Sequence, residues 1–245
     1  MNYGLIMKYG LCVALFSVFT VGMTAAQQNK LEEDVFPAQG GDIRITFIGH
    51  GTLMLTYADT VIHVDPVSMY ADFETLPKAD IILVTHEHGD HLDGKAIQAV
   101  TTSRTTLIVN QASAKNLNNA SVMNNGDTRS VNGITIEAVP AYNPDKQFHP
   151  KGRDNGYVIT LGDKRVFVAG DTENVPEIKA LKNIDIAFLP MNLPFTMTPE
   201  QVADTATAIR PKILYPYHFG ETDTSALTRL MQDEKDIEVR IRDMK

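Results

Sequence analysis

Apolar residues recur at every second position through Ile43, Ile45 and Phe47, with Arg44 and Thr46 between them. That period buries one face of a strand and leaves the other polar. Gly49-His50-Gly51 then turns the chain into a second strand over residues 53–57, and Asp59-Thr60 turns it into a third over 61–64. Asp65-Pro66 ends that strand, because proline has no N–H to add to a ladder. The apolar run Ile81-Ile82-Leu83-Val84 predicts a fourth. Beyond it helices and strands alternate. Helices are predicted over 94–100, over 111–117 with Asn110 as cap, over 199–209 with Thr198 as N-cap and Pro199 in the first turn, and over 225–233. Strands are predicted over 105–109, 134–139, 184–189 and 212–215, with a hairpin of 157–161 and 165–169 through Gly162-Asp163. No repeat at solenoid period and no low-complexity run interrupts this α/β pattern.

The chain has 245 residues, 43% of them hydrophobic, which suffices for one sizeable core and is short for two. A single domain over residues 42–245 is therefore expected. Ahead of it, Lys8 precedes an apolar stretch reaching Phe19, and Thr24-Ala25-Ala26 precedes the polar Gln27-Gln28. This is the order of a secretory signal peptide over residues 1–26. The apolar stretch falls short of the roughly 20 residues of a membrane span, so no stable span is expected after cleavage. Cys12 lies inside the stretch behind Leu11, which does not suit lipidation. Residues 27–41, polar with Pro37 and Gly40-Gly41, are expected to form a linker, and the mature protein to be periplasmic or secreted.

Export changes the chemistry available. Loss of residues 1–26 removes Lys8 and the only cysteine, leaving 21 basic against 30 acidic groups, a net charge of −9. Disulfides and thiolate metal ligands are thereby excluded, and His, Asp and Glu must do any metal binding. The acidic balance argues against a nucleic-acid partner and against anionic lipid. A small-molecule substrate is expected, with the oligomeric state left open.

Directly after the 81–84 run stands Thr85-His86-Glu87-His88-Gly89-Asp90-His91, with three histidines and two carboxylates in seven residues. Imidazole nitrogen and carboxylate oxygen hold zinc-type ions, and ligands at this spacing converge only from an irregular loop. Gly89 is expected to give that loop its tight path. Gly170-Asp171-Thr172 and Tyr217-His218-Phe219 each place one further potential ligand at a strand end, where sites gather in layered α/β folds.

With these elements in this order, the chain from about residue 42 onward resembles the metallo-β-lactamase superfamily, whose signature H-x-H-x-D-H is matched by His86, His88, Asp90 and His91. The Gly49-His50 turn, Asp65-Pro66 and residues 190–194 look most similar to the branch of ascorbate-phosphate lactonase-like and phospholipase D-like hydrolases. The resemblance implies an αββα sandwich with the site at one edge. It makes His86 and His88 ligands of one metal, Asp90 and His91 ligands of a second, Asp171 a bridging carboxylate and His218 a further ligand of the second. The family usually adds a third histidine to the first metal from the intervening loop, and Asn143 stands at that position. The first site is then looser, completed by water, or completed by His149 from the same loop. His50 is expected to face the site as a substrate contact or support, and Asp65 to orient the histidine loop through hydrogen bonds.

The expected activity is that of a metal-dependent hydrolase carrying one or two divalent ions, zinc foremost, with manganese or iron also suited. A metal-bound hydroxide oriented by Asp90 or Asp171 would attack a small ester, lactone or phosphodiester. The competing reading is a non-catalytic metal-binding envelope protein of the same fold. His63, mid-strand, reads as a core histidine, and Glu87 as pointing away from the ligands. Lys151 and Arg153 are candidates to receive an anionic group. Met191, Phe195, Met197 and Tyr142 are candidates for an apolar rim.

Overall fold

The computed structural model describes Met1 and residues 31–245; the expected signal peptide lies outside the described residues. Two seven-stranded sheets share one plan. In the first, β1 (Glu32–Phe36), β2 (Ile43–Gly49), β3 (Thr52–Tyr57) and β4 (Thr60–Val64) run antiparallel, and β5 (Ile81–Leu83), β6 (Thr106–Val109) and β7 (Ser121–Val122) continue in parallel. In the second, β8 (Thr128–Val131), β9 (Ile134–Ala141), β10 (Asp154–Leu161) and β11 (Lys164–Val168) run antiparallel, then β12 (Ile186–Pro190), β13 (Ile213–Tyr217) and β14 (Glu238–Val239) in parallel.

Alternation decides the layers. Ile43, Ile45, Leu53, Leu55, Ile62, Val64, Ile81 and Leu83 join the large core with the second sheet, whereas Met54, Ile82, Val84 and Val109 point the other way. That outer face is covered by α1 (Gly94–Val100) through Ala96, Ile97 and Val100. On the second sheet α2 (Pro176–Lys179), α3 (Pro199–Ile209) and α4 (Thr224–Leu230) supply Ile178, Val202, Ala206 and Leu227 to the core. The result is an αββα sandwich. α3 begins where expected, with Thr198 and Gln201 closing a reciprocal capping box and Pro199 in the first turn.

Two expectations fail for identifiable reasons. Residues 27–41 are not a linker throughout: β1 pairs with β2 in register from Glu32 opposite Phe47 to Phe36 opposite Ile43. Its inward face carries Asp34 beside Phe36, and Asp34 is held by Arg240, Arg242 and the Tyr215 hydroxyl, so charge pairing supplies at that position what an apolar residue usually does. No hydropathy signal marks such a strand. The helix expected over 111–117 is a single 3-10 turn, Ser113–Asn116, although Asn110 does accept from the Ser113 N–H as its cap would.

Candidate metal centre

The parallel halves of both sheets end at the same edge, and the site is built from residues at those strand ends and in the loops beyond them. Asp65 comes just after β4, His86 to His91 after β5, Asp171 after β11, Asn192 after β12 and His218 after β13. His50 comes from the β2–β3 turn and His149 from the β9–β10 loop. Four of these residues adopt left-handed backbone: His50 at φ 55°, Asp65 at 45°, His149 at 62° and His218 at 47°. Such conformations cost about 1–3 kcal/mol each for side chains with a Cβ and persist only where surroundings enforce them. The His218 N–H donating to the His50 carbonyl at 3.1 Å is one such enforcement.

Two groups of ligand atoms result. His86, His88 and His149 bring their nitrogens within 4.8 Å of one another, and His50, Asp90, His91 and His218 bring their ligand atoms equally close. Asp171 joins them. Its Oδ2 lies 3.3 Å from His149 Nε2 and 4.0 Å from His86 Nε2, while its Oδ1 lies 3.4 Å from His91 Nε2 and 3.5 Å from His218 Nε2. Each oxygen of one carboxylate thus faces a different histidine group.

The far side of five of the six rings is held. His91 Nδ1 donates to Asp65 Oδ2 at 2.8 Å, and His149 Nδ1 to Asp154 Oδ2 at 3.0 Å. His86 Nδ1 meets the Thr85 hydroxyl at 2.9 Å, His218 Nδ1 the Asn192 amide at 3.2 Å, and His50 Nδ1 the Lys245 carbonyl at 3.2 Å. For His50, His86, His91 and His149 the Nδ1 partner is an oxygen acceptor, which leaves Nε2 as the nitrogen turned to the cluster, the arrangement that metal-ligating imidazoles use. Asp65 also accepts from the Thr85 N–H and hydroxyl, both at 2.7 Å, and so ties the histidine loop to the end of β4.

Electrostatics divides the histidines. Burial, then the neighbouring imidazoles, pushes His86 well below the ordinary histidine range and lowers His88. Burial also opposes charge on His91, but the carboxylates of Asp171, Asp65 and Asp90 outweigh it and hold it at about 9. Burial likewise opposes charge on Asp171 and Asp90, and the surrounding histidines still keep both below the usual carboxylate range. Buried carboxylates here recruit a positive charge. A metal ion fits that demand, because Nε2 of His86, His91 and His218 and Oδ1 of Asp171 are buried without a hydrogen-bond partner. Nitrogen and oxygen donors without sulfur suit zinc, manganese or iron.

The third imidazole beside His86 and His88 is that of His149. The Asn143 amide donates instead to the carbonyls of Phe148 at 3.3 Å and Phe195 at 2.8 Å, pinning two loops together. Gly89 takes no left-handed φ, and a Cβ there would meet nothing within 4 Å. The glycine that the site needs is Gly51, where a Cβ would sit 2.8 Å from His91 Cε1. Glu87 turns from the ligands to bind Arg153 at 3.1 Å, and Arg153 also binds Asp154 at 2.7 Å. Lys151 is bound to Glu177 at 2.8 Å. Neither cation lines the cavity over the ligand cluster. Met191, Met197 and Tyr142 are buried core, leaving Phe195 exposed, and Phe148, which the sequence did not single out, stands exposed near it. Asp154 and Asn192 were also missed; being a loop-end carboxylate and a loop amide, they carry no local signal of their role. His63 is fully buried and its Nε2 donates to the Pro77 carbonyl at 3.0 Å.

Known proteins share this fold and much of this sequence. The sequence profile of the β-lactamase superfamily domain matches residues 44–218. A metal-dependent hydrolase of Thermus thermophilus is 32% identical over 194 residues, covering 73% of this chain and 84% of that protein. The crystal structure of a proposed metal-dependent hydrolase from Parabacteroides distasonis is 53% identical, covers 88% of this chain and 100% of that one, and superposes with a TM-score of 0.85. Igni18, a metallo hydrolase from Ignicoccus hospitalis, shares the fold at 22% identity and a TM-score of 0.69, over 82% of this chain and 95% of that one.

Proposed function

The chain belongs to the metallo-β-lactamase superfamily, and on that premise we propose that it is a metal-dependent hydrolase that cleaves a small ester, lactone or phosphodiester. The observation that carries the reading is Asp171, whose two carboxylate oxygens face two separate histidine groups. His86, His88 and His149 would hold one cation, Asp90, His91 and His218 a second, with Asp171 shared between them and zinc the first choice. When bound, such a pair supplies a water acidified toward neutrality and Lewis-acid polarisation of the scissile group.

The chain's own residues do the rest. Asp65 and Asp154 fix the orientation of His91 and His149, so the ligands are in place before substrate arrives. The Asp90 side chain is 44% exposed and lines the cavity over the cluster, where its carboxylate can orient an incoming water and carry a proton to the leaving group. The competing reading of a non-catalytic envelope protein drew on the absence of a third histidine for the first group, and His149 removes that support.

Elemental analysis of freshly purified protein, paired with a panel of lactones, carboxylic esters and phosphodiesters, tests the reading. Between one and two ions per chain and turnover that collapses in Asp90→Ala are expected. Well under one ion per chain, with no turnover after reconstitution with zinc, manganese or iron, overturns it. Export of the mature chain belongs to the same proposal, and N-terminal sequencing of periplasmic or secreted protein should begin at Gln27.

A further inference from the structure

Two aromatic rings stand in water beside a cluster of charged ligands. Phe148 is 47% exposed and Phe195 45%, their centroids lie 6.4 Å apart, and the rings meet edge to face. Phe148 also meets the His88 ring edge-on at 6.2 Å. Both phenylalanines, with Asn192, line a cavity of about 400 Å³ whose floor is the ligand cluster. Single exposed apolar side chains need no explanation, but a pair converging on one cavity marks a binding surface.

The pair is held in place. The Asn143 amide donates to the backbone carbonyls of both phenylalanines, and Lys146 Nζ donates to the Thr196 carbonyl at 2.6 Å, so the two loops are joined on either side of the rings. The residue standing where a ligand was expected therefore sets the spacing of an apolar seat. Charge narrows what can sit there. Among the described residues no lysine or arginine lines the cavity, and the nearby cations are spent: Lys146 on Glu173 at 3.0 Å, Arg153 on Glu87 and Asp154.

We infer that Phe148 and Phe195 seat the apolar acyl or aryl part of a neutral carboxylic ester or lactone, with its carbonyl over the ligand cluster. The reaction, though not the seat itself, rests on the hydrolase reading. The metal-facing end of the substrate is then small and polar, and the distal end apolar and uncharged. A phosphodiester would have its anion met by the cluster alone, with no lysine or arginine lining the cavity to hold its outer oxygens.

Alkyl hydroxamates separate the seat from the reaction, because the headgroup addresses metal whether or not anything is hydrolysed. On metal-replete protein, titration calorimetry should show octanohydroxamate binding at least about 30-fold more tightly than acetohydroxamate, since each buried methylene adds favourable transfer free energy. In the Phe148→Ala/Phe195→Ala double variant, with metal content confirmed unchanged by elemental analysis, that ratio should fall below about threefold. Equal affinity for the two hydroxamates in the parent protein, or an undiminished ratio in the double variant, overturns the inference. A kinetic arm compares 4-nitrophenyl octanoate, 4-nitrophenyl acetate and bis(4-nitrophenyl) phosphate. Octanoate is expected to have the highest kcat/KM, and preference for the phosphodiester also overturns the inference. Tail-dependent binding with no turnover of any of the three would leave the seat standing and sink the hydrolase reading.

Discussion

The first sheet, β1 to β7, hands the site four candidate ligands from one loop, His86, His88, Asp90 and His91, and braces that loop from the adjoining strand end with Asp65. The second sheet, β8 to β14, has the same antiparallel-then-parallel plan but delivers single residues from three separate places: His149 before β10, Asp171 after β11 and His218 after β13. The strand that precedes each parallel half is followed by an aspartate, Asp65 in one sheet and Asp171 in the other. One orients a histidine from behind; the other stands among the ligands. Equivalent topology therefore does not mean equivalent chemistry. What differs is the environment: Asp65 is enclosed by Thr85 and His91 Nδ1, while Asp171 is surrounded by Nε2 atoms.

The sharpest test of that contrast is Asp171→Ala, which removes the carboxylate shared by both groups. We expect kcat/KM to fall by at least about a thousandfold, with loss of bound metal measured by elemental analysis. Next, His88→Ala and His149→Ala should act alike although they come from different sheets, each costing about one ion per chain, because a three-ligand group loses a member either way. If His149→Ala keeps the full stoichiometry, the second sheet does not complete the first group. Asp65→Asn and Asp154→Asn compare the two braces: metal affinity, read by chelator competition, should weaken about 10- to 100-fold for either. The Asp65 variant should suffer more, since its carboxylate also holds the Thr85 N–H and hydroxyl.

Two smaller effects bound the site. His63 lies outside both groups, and burial lowers it to about 4, so the folded protein keeps it neutral where the unfolded chain protonates near 6.5. Its contribution is fully present above about pH 6.5 and is lost as pH falls toward 4, amounting to about 3 kcal/mol across that window. Urea denaturation at several pH values should show this slope flattened in His63→Gln. Asn143→Ala should leave metal stoichiometry intact while lowering stability by about 1–2 kcal/mol, from the two carbonyl contacts it loses. Loss of an ion in that variant would return Asn143 to the ligand set.

Much of the fold was legible because its signals are local. The alternation in β2 to β4, the apolar run of β5 and the Thr198 cap of α3 each report burial or capping within a few residues. β1 was not, since its inward side carries Asp34, stabilised by arginines about 200 positions away. The site divides the same way. His86, His88, Asp90 and His91 lie within one loop, and Asp171 and His218 stand at strand ends that hydropathy could place. The choice between Asn143 and His149 had no such marker. Both sit in the loop between β9 and β10, and the outcome depends on left-handed backbone at His149, on Asp154 behind its ring and on where Phe195 lies.

The sequence alone determined the class of fold, the α/β order and the loop that brings three histidines and an aspartate to the candidate site. Those properties arise from residue type and spacing over short distances. Only the tertiary structure decided that His149 stands beside His86 and His88, that Asp171 turns its two oxygens to separate histidine groups, and that the Asn143 amide joins the loops carrying Phe148 and Phe195. Each depends on backbone angles and contacts between segments far apart in the chain, and a linear pattern does not encode the distance between such segments.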